Sequence, residues 1–198
     1  MKPALYLLVL CFASSTHTRQ PAGLDIVCWQ ENRKLCWTDF QSTTRPVLTK
    51  EETLPNSVLC ATTEANAVVY ERKTDTGALL KTFVRVEFDK RKSWINKATY
   101  DDRKATLIHE QLHFDIVELT GRKIRRILAT QPDVHSATVT AAITQAYVEE
   151  AARQHQCDKQ TQNGNDLKAQ ARWQMSIKKQ LAALAPYKST PADCDIPQ

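Results

Sequence analysis

With 198 residues, 42% of them hydrophobic and 25% charged, the chain has the length of one domain and the composition of an ordinary globular protein. That balance places it outside the disordered and collagen-like classes. A formal charge of +5 and a pI near 8.9 are mild, and no nucleic-acid-binding motif accompanies them.

The chain opens on Met1-Lys2-Pro3, continues through an apolar run from Ala4 to Phe12, and reaches small residues at Ala13-Ser14-Ser15. A basic start, an apolar run too short to span a bilayer and a small-residue exit form a secretory signal. Residues 1–19 are therefore read as a signal peptide and 20–198 as a single exported domain, periplasmic or extracellular, with no membrane insertion once the signal is removed. Leu10 is too bulky before Cys11 for lipoprotein processing. Removing the signal leaves Cys28, Cys36, Cys60, Cys157 and Cys194, an odd number, so at least one thiol lacks an intrachain partner. The first three lie in a strand-rich half and the last two near the end, which makes a bridge within each group the economical expectation. None has zinc-knuckle spacing or a nucleophile motif.

Between residues 24 and 96 the pattern is β-like, with turn residues at short intervals. The clearest unit is a hairpin, Asn66 to Arg72 and Leu79 to Phe88 around Lys73-Thr74-Asp75-Thr76-Gly77, in which Val84, Val86 and Phe88 alternate with Arg85 and Glu87. Leu35 to Phe40 reads as another strand, and Ser93-Trp94-Ile95 leads towards the first helix.

From about Tyr100 the period becomes helical. Asp101 and Asp102 suit the positive end of a helix that runs to about Ala129, with Gly121 a weak point inside it. Pro132 breaks the pattern; further helices span roughly Ser136 to Gln154 and Asp166 to Leu184, and Pro186, Pro191 and Pro197 mark a loose tail. Strands followed by helices predict an α+β domain, a mostly antiparallel sheet with about three helices on one side. The cluster Arg122, Lys123, Arg125 and Arg126 reads as the solvated face of its helix rather than a nucleic-acid or membrane patch. Trp37, Trp94 and Trp173 read as core anchors. His17, His135 and His155 are isolated, with His155 a reserve metal ligand.

The first helix contains His109-Glu110-Gln111-Leu112-His113. At about 100° per residue, the two histidines share one face a turn apart, and Glu110 stands about 100° to the side. Two imidazoles can grip one zinc ion, and the carboxylate can reach a water on that ion rather than the ion itself. Zinc with three protein ligands keeps an open position, acidifies its water and polarises a carbonyl, so Glu110 has the placing of a general base. By composition such a match arises by chance in roughly one chain of this length in a few hundred. An apolar stripe of Leu107, Ile108, Leu112, Ile116 and Leu119 beside the pair argues for a packed helix with its metal face at a cleft.

Together with Leu35-Cys36-Trp37-Thr38-Asp39-Phe40-Gln41, Ala61-Thr62-Thr63, Phe88 before Ser93-Trp94-Ile95, the extended run His109 to Leu119, and a late block ending Gln170-Ala171-Arg172-Trp173, the chain resembles the bacterial domain-of-unknown-function 922 family. The resemblance covers most of the mature chain and implies a zincin-like fold and a secreted zinc-dependent protease. The family's late pattern is Tyr-Asp-x-x-Thr-x-His-Gly, against Cys157-Asp158-Lys159-Gln160-Thr161-Gln162-Asn163-Gly164 here. The family histidine therefore falls on Asn163, while Asp158 keeps its place and offers an oxygen ligand. The expected zinc ligands are His109, His113 and Asp158, with Glu149 or Glu150 as alternatives for the third. Glu118 points about 180° from His109 on a continuous helix, and its expected role, with Asp115, is to support the site or pair with Arg122 or Lys123. The resulting expectation is an exported zinc hydrolase acting on peptide or protein, an extended substrate aligned along an exposed hairpin strand. The alternative is an exported binding or scaffolding protein with a degenerate or structural metal site.

Overall fold

A computed structural model describes residues 25–47, 61–73, 75–77, 79–96 and 104–194. Residues 1–19, read above as a signal peptide, lie outside those residues, as do Cys60, Asp101, Asp102 and Pro197. The order is β1 (Ile26–Cys28), β2 (Ala61–Thr62), β3 (Ala65–Lys73), β4 (Leu79–Asp89), β5 (Trp94–Ile95), α1 (Lys104–Thr130), α2 (Ala137–Thr161) and α3 (Leu167–Ala183). This is an α+β arrangement with strands first, as the sequence predicts. No described helix is long and apolar enough to cross a membrane.

The hairpin forms as expected, β3 and β4 pairing with Val69 opposite Val84 and Ala65 opposite Phe88. β1 adds to the other edge of β4, giving the antiparallel order β1-β4-β3, and β2 pairs with β5 in a separate two-stranded piece. Alternation puts Val84, Val86 and Phe88 on the buried face, where they meet Phe114, Val117 and Ile124 of α1. The opposite face of β4 is not simply solvated: Arg85 is 1% exposed, stacked 4.5 Å over the Tyr70 ring and bonded to the Tyr70 hydroxyl and to Glu87. The other side of α1 packs Leu112, Ile116 and Leu119 against Cys157 and Ile177 of α2 and α3. The helix is thus enclosed by sheet on one side and helices on the other. Trp94 is buried, and Trp37 and Trp173 are half-buried against these cores, in keeping with anchoring roles.

Gly121 is a contact, not a weak point. α1 is continuous through it, and a Cβ there would overlap the Val86 side chain, so glycine is what lets α1 approach the sheet. Gly121→Ala is expected to cost about 1–3 kcal/mol in chemical denaturation through overpacking, the helical gain notwithstanding.

Five other expectations are corrected. Leu35 to Phe40 is not a strand, because Trp37–Asp39 forms a 3-10 turn. Asp39 accepts from the Cys36 N–H at 2.8 Å and from Arg33, closing the backbone locally where a strand would need a neighbour. α2 continues seven residues past Gln154, to Thr161. The basic cluster is mostly turned inward: only Arg126 is exposed, while Arg122 pairs with Glu118 at 2.7 Å, Lys123 with Glu149 at 2.7 Å, and Arg125 donates to the Tyr187 and Val84 carbonyls. The tail up to Cys194 is not loose, since Ser189 donates from both N–H and hydroxyl to Glu118 and Lys188 pairs with Glu31. Finally, the disulfide crosses the two cysteine groups, joining Cys28 to Cys194, with Cys36 and Cys157 free. Docking of the tail beside β1 puts these two sulfurs together, which no sequence spacing reveals.

Candidate metal centre

The His109-Glu110-Gln111-Leu112-His113 run lies in α1, so its histidines present one face, with ring centroids 4.5 Å apart. The added turns of α2 supply the opposite wall: Gln154, Asp158 and Thr161 follow i, i+4, i+7 spacing and face the pair. Asp158 Oδ1 lies 3.0 Å from His109 Nε2 and 2.9 Å from His113 Nε2, and the two Nε2 atoms are 3.0 Å apart. His109, His113 and Asp158 thus form a triad that could hold a metal ion.

Hydrogen bonding on the far side of each ring fixes what the triad offers. Gln154 Nε2 donates to the His113 carbonyl at 3.2 Å, which turns its Oε1 to His113 Nδ1 at 2.6 Å. Nδ1 must therefore carry a proton, and in the neutral ring Nε2 faces the triad with a lone pair. Thr161 uses its single proton on the Cys157 carbonyl at 2.8 Å and leaves its oxygen 3.5 Å from His109 Nδ1, which orients that ring the same way. Two lone pairs and a carboxylate then converge on one point. Either a proton or a metal ion between them reconciles that arrangement, and two imidazoles with an aspartate form a donor set suited to a divalent transition-metal ion.

In the metal-free chain a proton takes that place. Burial works against a charged His113, but the Asp158 carboxylate outweighs it and, with Glu110 and Gln154, lifts the imidazole to about 9. Burial likewise opposes the Asp158 charge, and the two histidines hold the carboxyl well below the usual range. This raised histidine pKa stabilises the metal-free fold fully below the ordinary 6.5, and the contribution is lost as pH climbs through about 9. A metal must displace the same proton. Affinity for a divalent metal ion is therefore expected to rise about tenfold per pH unit between about pH 6 and 8, for one proton released, and titration calorimetry in buffers of different ionisation enthalpy measures that release.

Gly164 completes the pocket. Its φ of 82° is left-handed, and a Cβ there would come within 2.9 Å of His109 Cβ. Glu110 is 4% exposed beside the triad, where its Oε2 accepts from the Thr63 hydroxyl at 2.8 Å.

The alternative ligands lie elsewhere. Glu149 is exposed and pairs with Lys123, and Glu150, two turns of α2 before Asp158, packs near Thr120 and Lys123, where burial pushes its carboxyl up to about 7. Glu118 is buried against Arg122 and Ser189, as its helical angle predicts, and Asp115 accepts from Trp29 Nε1 and Gln111. His135 and His155 are exposed, the former paired with Glu71. Asn163 gives its backbone N–H to the Asp158 carbonyl. No family model, curated protein or solved structure matches the chain. The polar run after residue 154 hides the continuation of α2 and with it the roles of Gln154 and Thr161; their spacing with Asp158 is the signal that marks them.

Proposed function

We propose that the chain is an exported zinc-dependent hydrolase of the zincin-like kind, most simply a peptidase, as its likeness to the domain-of-unknown-function 922 family implies. The observation that carries this reading is the convergence of His109 Nε2, His113 Nε2 and Asp158 Oδ1, all within 3.0 Å of one another, with the Glu110 carboxylate beside them. Among the described residues three protein ligands converge, rather than the four of a closed structural site, which would leave a position for water and substrate. Zinc bound there would supply Lewis acidity to a water and a carbonyl. Glu110 takes a proton from the attacking water and returns it to the leaving amine. His113, held by Gln154, and His109, held by Thr161 and given room by Gly164, keep their nitrogens aimed at one point.

A peptide substrate is supported by the sheet edge. β3 is the outer strand of its sheet among the described residues; the Tyr147 hydroxyl holds the outward Ala67 carbonyl at 2.7 Å, so a peptide would pair along the edge on either side of Ala67. An open cleft of about 500 Å³ runs between β3 and α2, walled by Val69, Val134, Ile143 and Tyr147. An extended peptide could add to that edge and place an apolar side chain in the cleft. Export is supported by the signal-like first residues and by the disulfide. Asn163, at the position of a family histidine, favours the second reading, a binding protein with an inert metal site.

Elemental mass spectrometry of the mature chain, beside His113→Ala, tests the site, and a peptide-library digest beside Glu110→Gln tests the chemistry. About one zinc per chain is expected, lost in His113→Ala. Glu110→Gln is expected to keep the metal while slowing hydrolysis by about 10²- to 10⁴-fold. A chain that takes up no metal when zinc is supplied refutes the hydrolase reading. Metal without hydrolysis in wild type and Glu110→Gln alike favours the binding protein.

A further inference from the structure

We propose that Thr63 is a positioning residue that tethers Glu110 by one carboxylate oxygen and reserves the other for the attacking water; the proposal rests on the hydrolase reading above. The Thr63 hydroxyl lies 2.8 Å from Glu110 Oε2 and 3.5 Å from the Glu110 carbonyl. It has one proton, and the nearer, charged acceptor takes it. Among the described residues no other hydrogen bond reaches the Glu110 carboxylate.

The tether is anchored on rigid backbone. Thr62, just before it, pairs with Trp94 in the β2–β5 ladder. Glu64, just after it, donates its N–H to Ser93 Oγ at 3.0 Å and accepts from the Asp89 N–H at 2.8 Å, and Ser93 is wholly buried. Thr63 therefore sits in a corner pinned on both sides, and its hydroxyl reaches α1 from a fixed point. This gives the Ala61-Thr62-Thr63 stretch, whose last residue lies 47 residues before Glu110, a chemical role.

A tether is needed because of where Glu110 stands. A flexible carboxylate one residue from a metal ligand competes for the very position that water and substrate must share. A hydrogen bond to Oε2 restrains the side chain's rotation and keeps the carboxylate alongside the triad instead of on the ion. The hydroxyl touches neither metal nor substrate, so its effect passes through Glu110 alone.

The test compares the mature wild-type chain with Thr63→Val, Thr63→Ala, Thr63→Ser and Glu110→Gln, each loaded with zinc for kinetics and with cobalt for visible absorption. Metal content and thermal midpoint are measured for each. The expected result is one metal per chain throughout, kcat lowered about 10- to 100-fold in the valine and alanine variants with KM little changed, and recovery in the serine variant. The cobalt absorption is expected to move in the valine and alanine variants and return in the serine one. Adding Thr63→Val to Glu110→Gln should produce no further loss, because both act at one carboxylate. Cobalt spectra identical to wild type in both hydroxyl-free variants overturn the tether, whether or not any peptide is cleaved. Spectra that shift and recover while no form cleaves peptide uphold the tether and refute the hydrolase reading instead.

Discussion

Glu118→Ala is expected to cost about 3–5 kcal/mol of stability and to lower the thermal midpoint by on the order of 10 °C. Glu118 is fully buried, and its two oxygens meet four groups. Oε1 accepts from Arg122 Nε at 2.7 Å and the Ser189 N–H at 3.0 Å; Oε2 accepts from the Ser189 hydroxyl at 2.5 Å and faces Arg125 at 3.8 Å. Truncation leaves the Arg122 guanidinium buried without its counter-charge, over the Trp29 ring at 5.2 Å, and unties the segment that carries Ser189. Urea denaturation of the variant measures the cost. Glu149→Ala, which breaks the exposed Lys123 pair, is the control and should change stability by less than about 1 kcal/mol. A similarly small change for Glu118→Ala would show that water reaches the cluster.

Asp158→Ala carries the second large effect. Structural zinc sites bind with about 10–16 kcal/mol over four ligands, so one ligand contributes roughly 3–4 kcal/mol and its loss weakens zinc by about 10²- to 10³-fold. Chelator competition on the folded variant reads that loss directly. The same change removes the carboxylate that does most to raise His113 against its burial, so the imidazole should titrate below the wild-type value of about 9. NMR titration of the metal-free variant checks the direction. Unaltered zinc affinity would exclude Asp158 as a ligand even if His113→Ala abolished binding.

The hairpin, the three helices and the histidine face were legible because each depends on local periodicity: Val84, Val86 and Phe88 at every second residue, and His109 and His113 one helical turn apart. Legibility failed where an element is fixed by a partner distant in sequence. The inward turn of Arg125 is set by Tyr187 and Val84 carbonyls, and the role of Gly121 by Val86 on the sheet. The 3-10 turn at Trp37–Asp39 failed differently, because strand propensity competes there with an aspartate that closes on its own backbone. The site shows both cases. Its α1 half could be read from spacing, and Asp158 was reached only through the family pattern, because α2 looked finished before it.

The bridge from Cys28 to Cys194 spans 166 residues and so encloses nearly every element described above. In a chain-entropy picture, closing so long a loop restrains the unfolded ensemble by about 5 kcal/mol. The same statistics keep the two sulfurs from meeting often before folding. In the folded chain their approach is held by Ser189 bonded to Glu118 and by Arg125 bonded to the Tyr187 carbonyl, both contacts of α1. A molecule so sealed unfolds with residues 28–194 as a closed ring: a protease that nicks one surface loop within it leaves the pieces covalently joined.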